Sequence, residues 1–185
     1  MTIRRIWPVL LLLAGCSFFS RTPNKFYSLE RIAGPVVSAH GLPIAIDSFE
    51  LPPDLDRREI VIRQADHKLE VRGAEQWSAR LQPLALHTLA FDLASRLPEG
   101  MMILPGEAKP LAPVRSIDVV LEELAAGPDK VVVLDGRWVV RENGKPDVTR
   151  HERIAIDVPG LDSASVATGV SKAVATFADH IASQM

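Results

Sequence analysis

The stretch "LPPDLDRREIVIRQADHKLEVRGAEQWSARLQPL", residues 51–84, decides how the rest of the chain is read. It opens as a turn, because Pro52, Pro53, Asp54 and Asp56 all favour bends over regular structure. "EIVIRQ" (59–64) and "HKLEVR" (67–72) follow as two short strand-like runs. Joined across Ala65-Asp66, they read as a hairpin. From Trp77 to Leu97 the apolar residues take helical spacing. Trp77, Leu81, Leu84, Leu86, Leu89, Phe91 and Leu93 form a broad stripe, with Arg80, Gln82 and Asp92 off it. A proline is tolerated only in a first helical turn, so Pro83 predicts that the regular helix begins near Leu81. A hairpin running into a one-sided helix calls for a sheet to cover that helix.

The flanks supply the sheet. "KFYSLERI" (25–32) and "LPIAIDSF" (42–49) alternate as strands, with Ile44, Ile46 and Ser48 on one side. Leu97-Pro98-Glu99-Gly100 ends the helix, "MMIL" (101–104) is a short strand, and "GEAKPLAP" (106–113) is a proline-rich loop. Val114 to Leu124 and Lys130 to Arg141 are the longest strands, linked by Gly127-Pro128-Asp129, and Gly136 suggests a bulge. Asn143-Gly144 is a hairpin signal leading to a strand over Arg150–Val158. Asp162 or Ser163 caps a last helix whose Val166, Val170, Val174, Phe177 and Ile181 share one face. The expected fold is α/β: a two-layer sandwich of a mixed, mostly antiparallel sheet with two amphipathic helices packed on one face.

Composition narrows the function. The chain has 185 residues, 47% hydrophobic and 24% charged, and a formal charge of −2 without a basic face, so a nucleic-acid partner is not expected. The five histidines form no metal-ligand spacing, and His151-Glu152 lies in a predicted strand where neighbours point to opposite faces. Asp54 and Asp56 lack the further oxygens and the glycine of a calcium loop. There is no G-x-S-x-G elbow, and "NGK" (143–145) is a hairpin turn rather than a phosphate loop. Neither a catalytic residue nor a bound metal is expected. Asp56 and Arg57 read as a loop ion pair contributing about 0–1 kcal/mol, and Trp77 as an apolar staple of helix to sheet.

The N-terminus reads as an address. Arg4 and Arg5 precede the apolar "WPVLLLLAG" (7–15), about half the ~20 residues a spanning helix needs. A positive start, short apolar run and small-residue end are the plan of a signal peptide. Leu13-Ala14-Gly15-Cys16 resembles a bacterial lipobox, which implies cleavage between Gly15 and Cys16. The Cys16 thiol would then carry diacylglycerol and its amine an acyl group, with no other cofactor. Two or three chains anchor a protein firmly where one does not. Cleavage leaves 19 basic and 23 acidic side chains, a charge of −4. Residues 1–15 are therefore the signal, 16–24 the lipidated end and tether, and 25–185 the domain. Eight tether residues reach at most about 30 Å, which keeps the domain close to its membrane. Ser17 after the cysteine favours the outer membrane by the enterobacterial sorting rule, leaving the inner membrane open.

The ordered set Leu55-Asp56-Arg57, Ile60-Val61-Ile62-Arg63 and Trp77-Ser78-Ala79-Arg80-Leu81 resembles the PqiC/YmbA-like family of ABC-type transport auxiliary lipoproteins. "FYSL" (26–29), "GRW" (136–138) and "FADHIA" (177–182) extend the resemblance over nearly all of the mature chain. Arg58 and Ser78 depart mildly from the family pattern. The resemblance implies a periplasmic-facing auxiliary component of an MCE-type system for lipids or hydrophobic solutes. Its partner would be an MCE-domain protein, with a homo-oligomer also in prospect. Leu55, Asp56, Arg57, Arg63, Trp77 and Leu81 would then serve as scaffold or as docking residues. Two other readings stay open at this point: a regulator of a cell-wall synthesis enzyme, and a periplasmic lipid-binding module.

Overall fold

The computed structural model describes residues 23–185, so Gly15, Cys16 and the expected signal lie outside the described residues. In chain order the elements are β1 (Lys25–Tyr27), β2 (Ile44–Glu50), β3 (Glu59–Arg63), β4 (Leu69–Trp77) and α1 (Leu81–Arg96). They continue with β5 (Met102–Ile103), β6 (Arg115–Ala126), β7 (Val131–Arg141), β8 (Val148–Asp157) and α2 (Ser163–Ala182).

Strand β6 is the axis of the single sheet. Along one edge it pairs antiparallel with β7, from Ser116 opposite Arg141 to Ala126 opposite Val132, and β8 continues the meander. Two strands share its other edge. β2 runs parallel beside Arg115–Val120, and β3 joins at Ala126 through Ile62. β2 and β3 are thus two halves of one interrupted strand line, with residues 51–58 looped out between them. β4 pairs antiparallel with β3, β1 adds in parallel to β4, and β5 lies beside β2. The long β6–β7 and β7–β8 pairings are antiparallel and the parallel ones shorter, as the alternating runs imply.

Both helices cover one face, giving the expected two-layer sandwich. The alternation of β7 sends Val132, Leu134 and Trp138 towards them, all buried. The Trp138 ring meets Phe177 of α2 edge-on, with centroids 5.3 Å apart. The five apolar positions read on α2 are all buried, and Asp162 is its cap, accepting a hydrogen bond from Ser165 N at 3.0 Å. Pro83 sits in the first turn of α1, where its missing N–H is harmless.

Five local expectations change. Trp77 is the last residue of β4 rather than part of a helix, because its N–H donates to Arg58 O at 2.6 Å. The strand expected over 25–32 stops at Tyr27, and residues 28–43 run as a strap over the helices. Asp47 is a bulge, so Ser48 moves to the face away from the helices while Phe49 turns to the core. The bulge expected at Gly136 belongs to its partner strand, at Glu122. Gly136 instead admits Leu121, whose Cδ2 lies 2.5 Å from where a Cβ would stand. Asp92, read as off the apolar stripe, is buried.

Candidate functional site

The residues of the 51–84 stretch converge on the N-terminus of α1. Leu55, Trp77 and Leu81 are buried together in the core. Asp56 is a cap supplied from a distance: its Oδ1 accepts the Gln82 N–H at 3.0 Å, and its Oδ2 pairs with Arg80. The residue at the capping position itself, Arg80, offers the helix no acceptor, so the loop supplies one. Leu81 N donates to Arg57 O at 3.3 Å, and Leu55 N and Asp56 N both donate to Pro52 O at 2.9 Å. The expected Asp56–Arg57 pair does not form; Arg57 Nε reaches Glu59 at 3.0 Å instead. Arg63 points to the opposite face, where its Nε lies 2.6 and 2.7 Å from the two oxygens of Glu123 and its Nη2 lies 3.5 Å from Asp54. Leu55, Asp56, Trp77 and Leu81 thus form one knot with the backbone of Arg57, while the Arg63 side chain stands apart from it.

The sheet face away from the helices carries charges of both signs. Asp135 meets His151 Nε2 at 2.8 Å and Arg153 at 2.5 Å, and Glu122 meets Arg137 at 3.0 Å. Asp118 accepts from Ser48 Oγ at 2.7 Å and pairs with Arg141, while Lys109 holds Asp47 at 2.5 Å. Glu122, Asp135 and His151 bring three ligand-type atoms within 4.8 Å of one another. Both carboxylates already face a guanidinium, which is the chemistry of a salt-bridge network rather than of a metal centre. Spacing along the chain could not reveal this group, because three strands contribute one residue each. Glu152 points the other way and meets His180 of α2 at 3.3 Å, as adjacent strand residues must.

A second polar centre escaped the sequence reading altogether. Arg96, 2% exposed, donates through Nε to Asp179 of α2 at 2.6 Å and through Nη1 to the carbonyls of Ile32 (2.7 Å) and Asp92 (2.9 Å). Ile32 N donates to Asp92 Oδ1 at 2.8 Å, Val37 N to Arg96 O at 2.8 Å, and Glu30 N to Ser171 Oγ at 3.0 Å. Gly34 crosses the guanidinium so closely that a Cβ would lie 2.6 Å from it. Together these bonds fasten the strap to both helices. Burial pushes the Asp92 carboxyl up to about 6, against the opposing pull of the Ile32 N–H and the Arg96 charge. The one legible sign was the i,i+4 spacing of Asp92 and Arg96 on the helix.

At the far end of the helix-covered face, beyond the C-terminus of α2, lies a cavity of about 270 Å³. Arg115, Trp138, Val140, Lys145, Val148 and Arg150 are among its lining residues. Among the described residues no helix is long and apolar enough to cross a membrane.

Comparison with known proteins agrees with this geometry. No curated protein matches the chain. Solved crystal structures share its fold, among them the following two. One, of an uncharacterized protein, has a TM-score of 0.68 at 15% identity, covering 88% of this chain and 99% of that one. The other, protein XCC0632 from Xanthomonas campestris, described as a DUF330 protein, has a TM-score of 0.70 at 10% identity, covering 85% and 92%. The family model for the ABC-type transport auxiliary lipoprotein component matches residues 27–182, from β1 to the end of α2. The chain therefore belongs to the family of ABC-type transport auxiliary lipoprotein components.

Proposed function

We propose that the protein is a periplasmic lipoprotein, anchored through Cys16, that serves as the docking component of an MCE-type ABC transport system for lipids or hydrophobic solutes. The observation that carries this reading is the extent of the family match, which spans the whole folded domain rather than a grafted site. Transport partnership then belongs to the domain as a unit, and its work is assembly rather than catalysis. The short tether holds it near one membrane, the outer one by the Ser17 rule. Leu55, Asp56, Trp77 and Leu81 act as scaffold, keeping the 51–58 loop and α1 in fixed relation. The charged sheet face, with Arg63, Arg137 and Arg153 among acidic neighbours, suits a partner of complementary charge, which steers association more than it deepens affinity. Strand β8, paired only with β7 among the described residues, offers a free edge to a second copy.

Crosslinking in native membranes tests the reading: an MCE-domain protein should be recovered with this chain. Recovery of unrelated lipoproteins alone would sink it.

A further inference from the structure

The two buried arginines among the described residues differ in one respect. Arg96 has a carboxylate at 2.6 Å, as a buried cation requires. Arg115 has none. Its Nε donates to Leu42 O at 3.2 Å, its Nη2 is buried without a partner, and the residue is only 7% exposed. Beside it Trp138, 1% exposed, also holds a buried N–H with no partner. A buried donor left unmatched is costly, more so when charged, so native structures seldom retain one without cause.

Both residues line the cavity beyond α2. The geometry that makes it follows from the register. Trp138 and Val140 lie opposite Arg150 and Val148 across β7–β8, all on the helix side; Phe177 of α2 covers the Trp138 ring, but the helix ends before covering Val148 and Arg150. Lys145 and Glu142 stand in the connecting turn, paired at 2.7 Å, so they nearly cancel. Arg150 is exposed and donates only to the neighbouring Thr149 O, at 3.1 Å. Two uncompensated guanidinium groups therefore face a pocket walled by Val140, Val148, Pro146 and the Trp138 ring. The C-terminal end of α2 contributes about half a negative charge, which two full positive charges outweigh.

We propose that this cavity binds a phosphate group, with Arg115 and Arg150 as its cationic ligands, Lys145 at the rim and the Trp138 ring in its wall. Guanidinium forks match phosphate oxygens in pairs, and a buried one already stripped of water gives up little on binding. The volume, just under the usual range for ligand pockets, admits a phosphate with a few further atoms but not acyl chains. The phosphate is thus either a free ion or ester, or the headgroup of a phospholipid whose chains stay outside. The assignment does not depend on the transport partner proposed above.

The test is an NMR titration of the full chain, purified in a phosphate-free maltoside detergent, following the indole N–H resonance of Trp138. The two probes are inorganic phosphate and dihexanoyl-phosphatidylglycerol, each against sodium chloride of equal ionic strength. A saturable shift with inorganic phosphate assigns the site to free phosphate; a shift with the phospholipid alone assigns it to a headgroup. In either case Arg150→Glu, a surface change that leaves the core intact, should weaken binding about tenfold or more. Absence of a shift with both probes overturns the proposal, as does a shift that sodium chloride reproduces or that Arg150→Glu leaves unaltered.

Discussion

Two aspartates on or beside α1 show how one residue type serves opposite ends. Asp56 is a charged acceptor for a helix N-terminus, where negative charge and orphan N–H groups suit each other. Replacing it with alanine should lower unfolding stability by about 1–2 kcal/mol, with Asp56→Asn recovering most of the loss, as measured by denaturant titration. Its pair with the exposed Arg80 contributes little to that figure. Asp92 is buried, and its native carboxyl titrates near 6 instead of near 4. Between those values the folded chain holds a proton that the unfolded chain has released, so this group's contribution falls as pH rises through the window. Relative to Asp92→Asn, the stability of the native sequence should decline from about pH 4 to about pH 6 and then level off. Parallel stability curves for the two proteins would show that the burial carries no such linkage.

Elements with a local signature were legible in the sequence. Helix α2 declared itself through one apolar face and an aspartate cap, and the β3–β4 hairpin through two alternating runs around a turn. What stayed hidden depends on partners far along the chain. Bulges at Asp47 and Glu122 reverse the alternation after them, and no residue there announces it. Residues 28–32 alternate like a strand yet spend their hydrogen bonds on helix side chains. Trp77 fits a helical stripe and a strand end equally well, and the loop carbonyl of Arg58 decides. The same reason hid the Arg96 centre, whose members come from the strap and both helices. The cavity lining was equally scattered, although Trp138 had stood out in "GRW". Packing, too, is tighter than pattern suggests. A Cβ on Gly169 of α2 would lie 2.6 Å from Val158 and 2.7 Å from Val132. Gly169→Ala should therefore destabilise by about 1–3 kcal/mol through overpacking, offset in part by about 1 kcal/mol of helix propensity. A rise in thermal midpoint would mean that the sheet yields more readily than its valines suggest.

At the scale of the molecule, the proposed anchor at Cys16 would hold the domain from its N-terminal side. If Cys16 carries the acyl chains, Cys16→Ser should abolish incorporation of labelled palmitate and leave residues 1–15 attached, while the fold from β1 onward stays intact. Palmitate labelling reads the first outcome and circular dichroism the second. Unchanged labelling would place the acyl chains on another residue. The strap adds a mechanical side to the proposed anchor. A load applied at residue 23 meets β1 first, three residues of parallel pairing to Glu75–Trp77. Once those bonds yield, the pull passes to Glu30, bonded to Ser171 of α2, and then to Ile32 and Val37, bonded to Asp92 and Arg96 of α1. The domain thus has a weak link ahead of a strong one, so that a tug at residue 23 peels away a single short strand while the packed core remains closed.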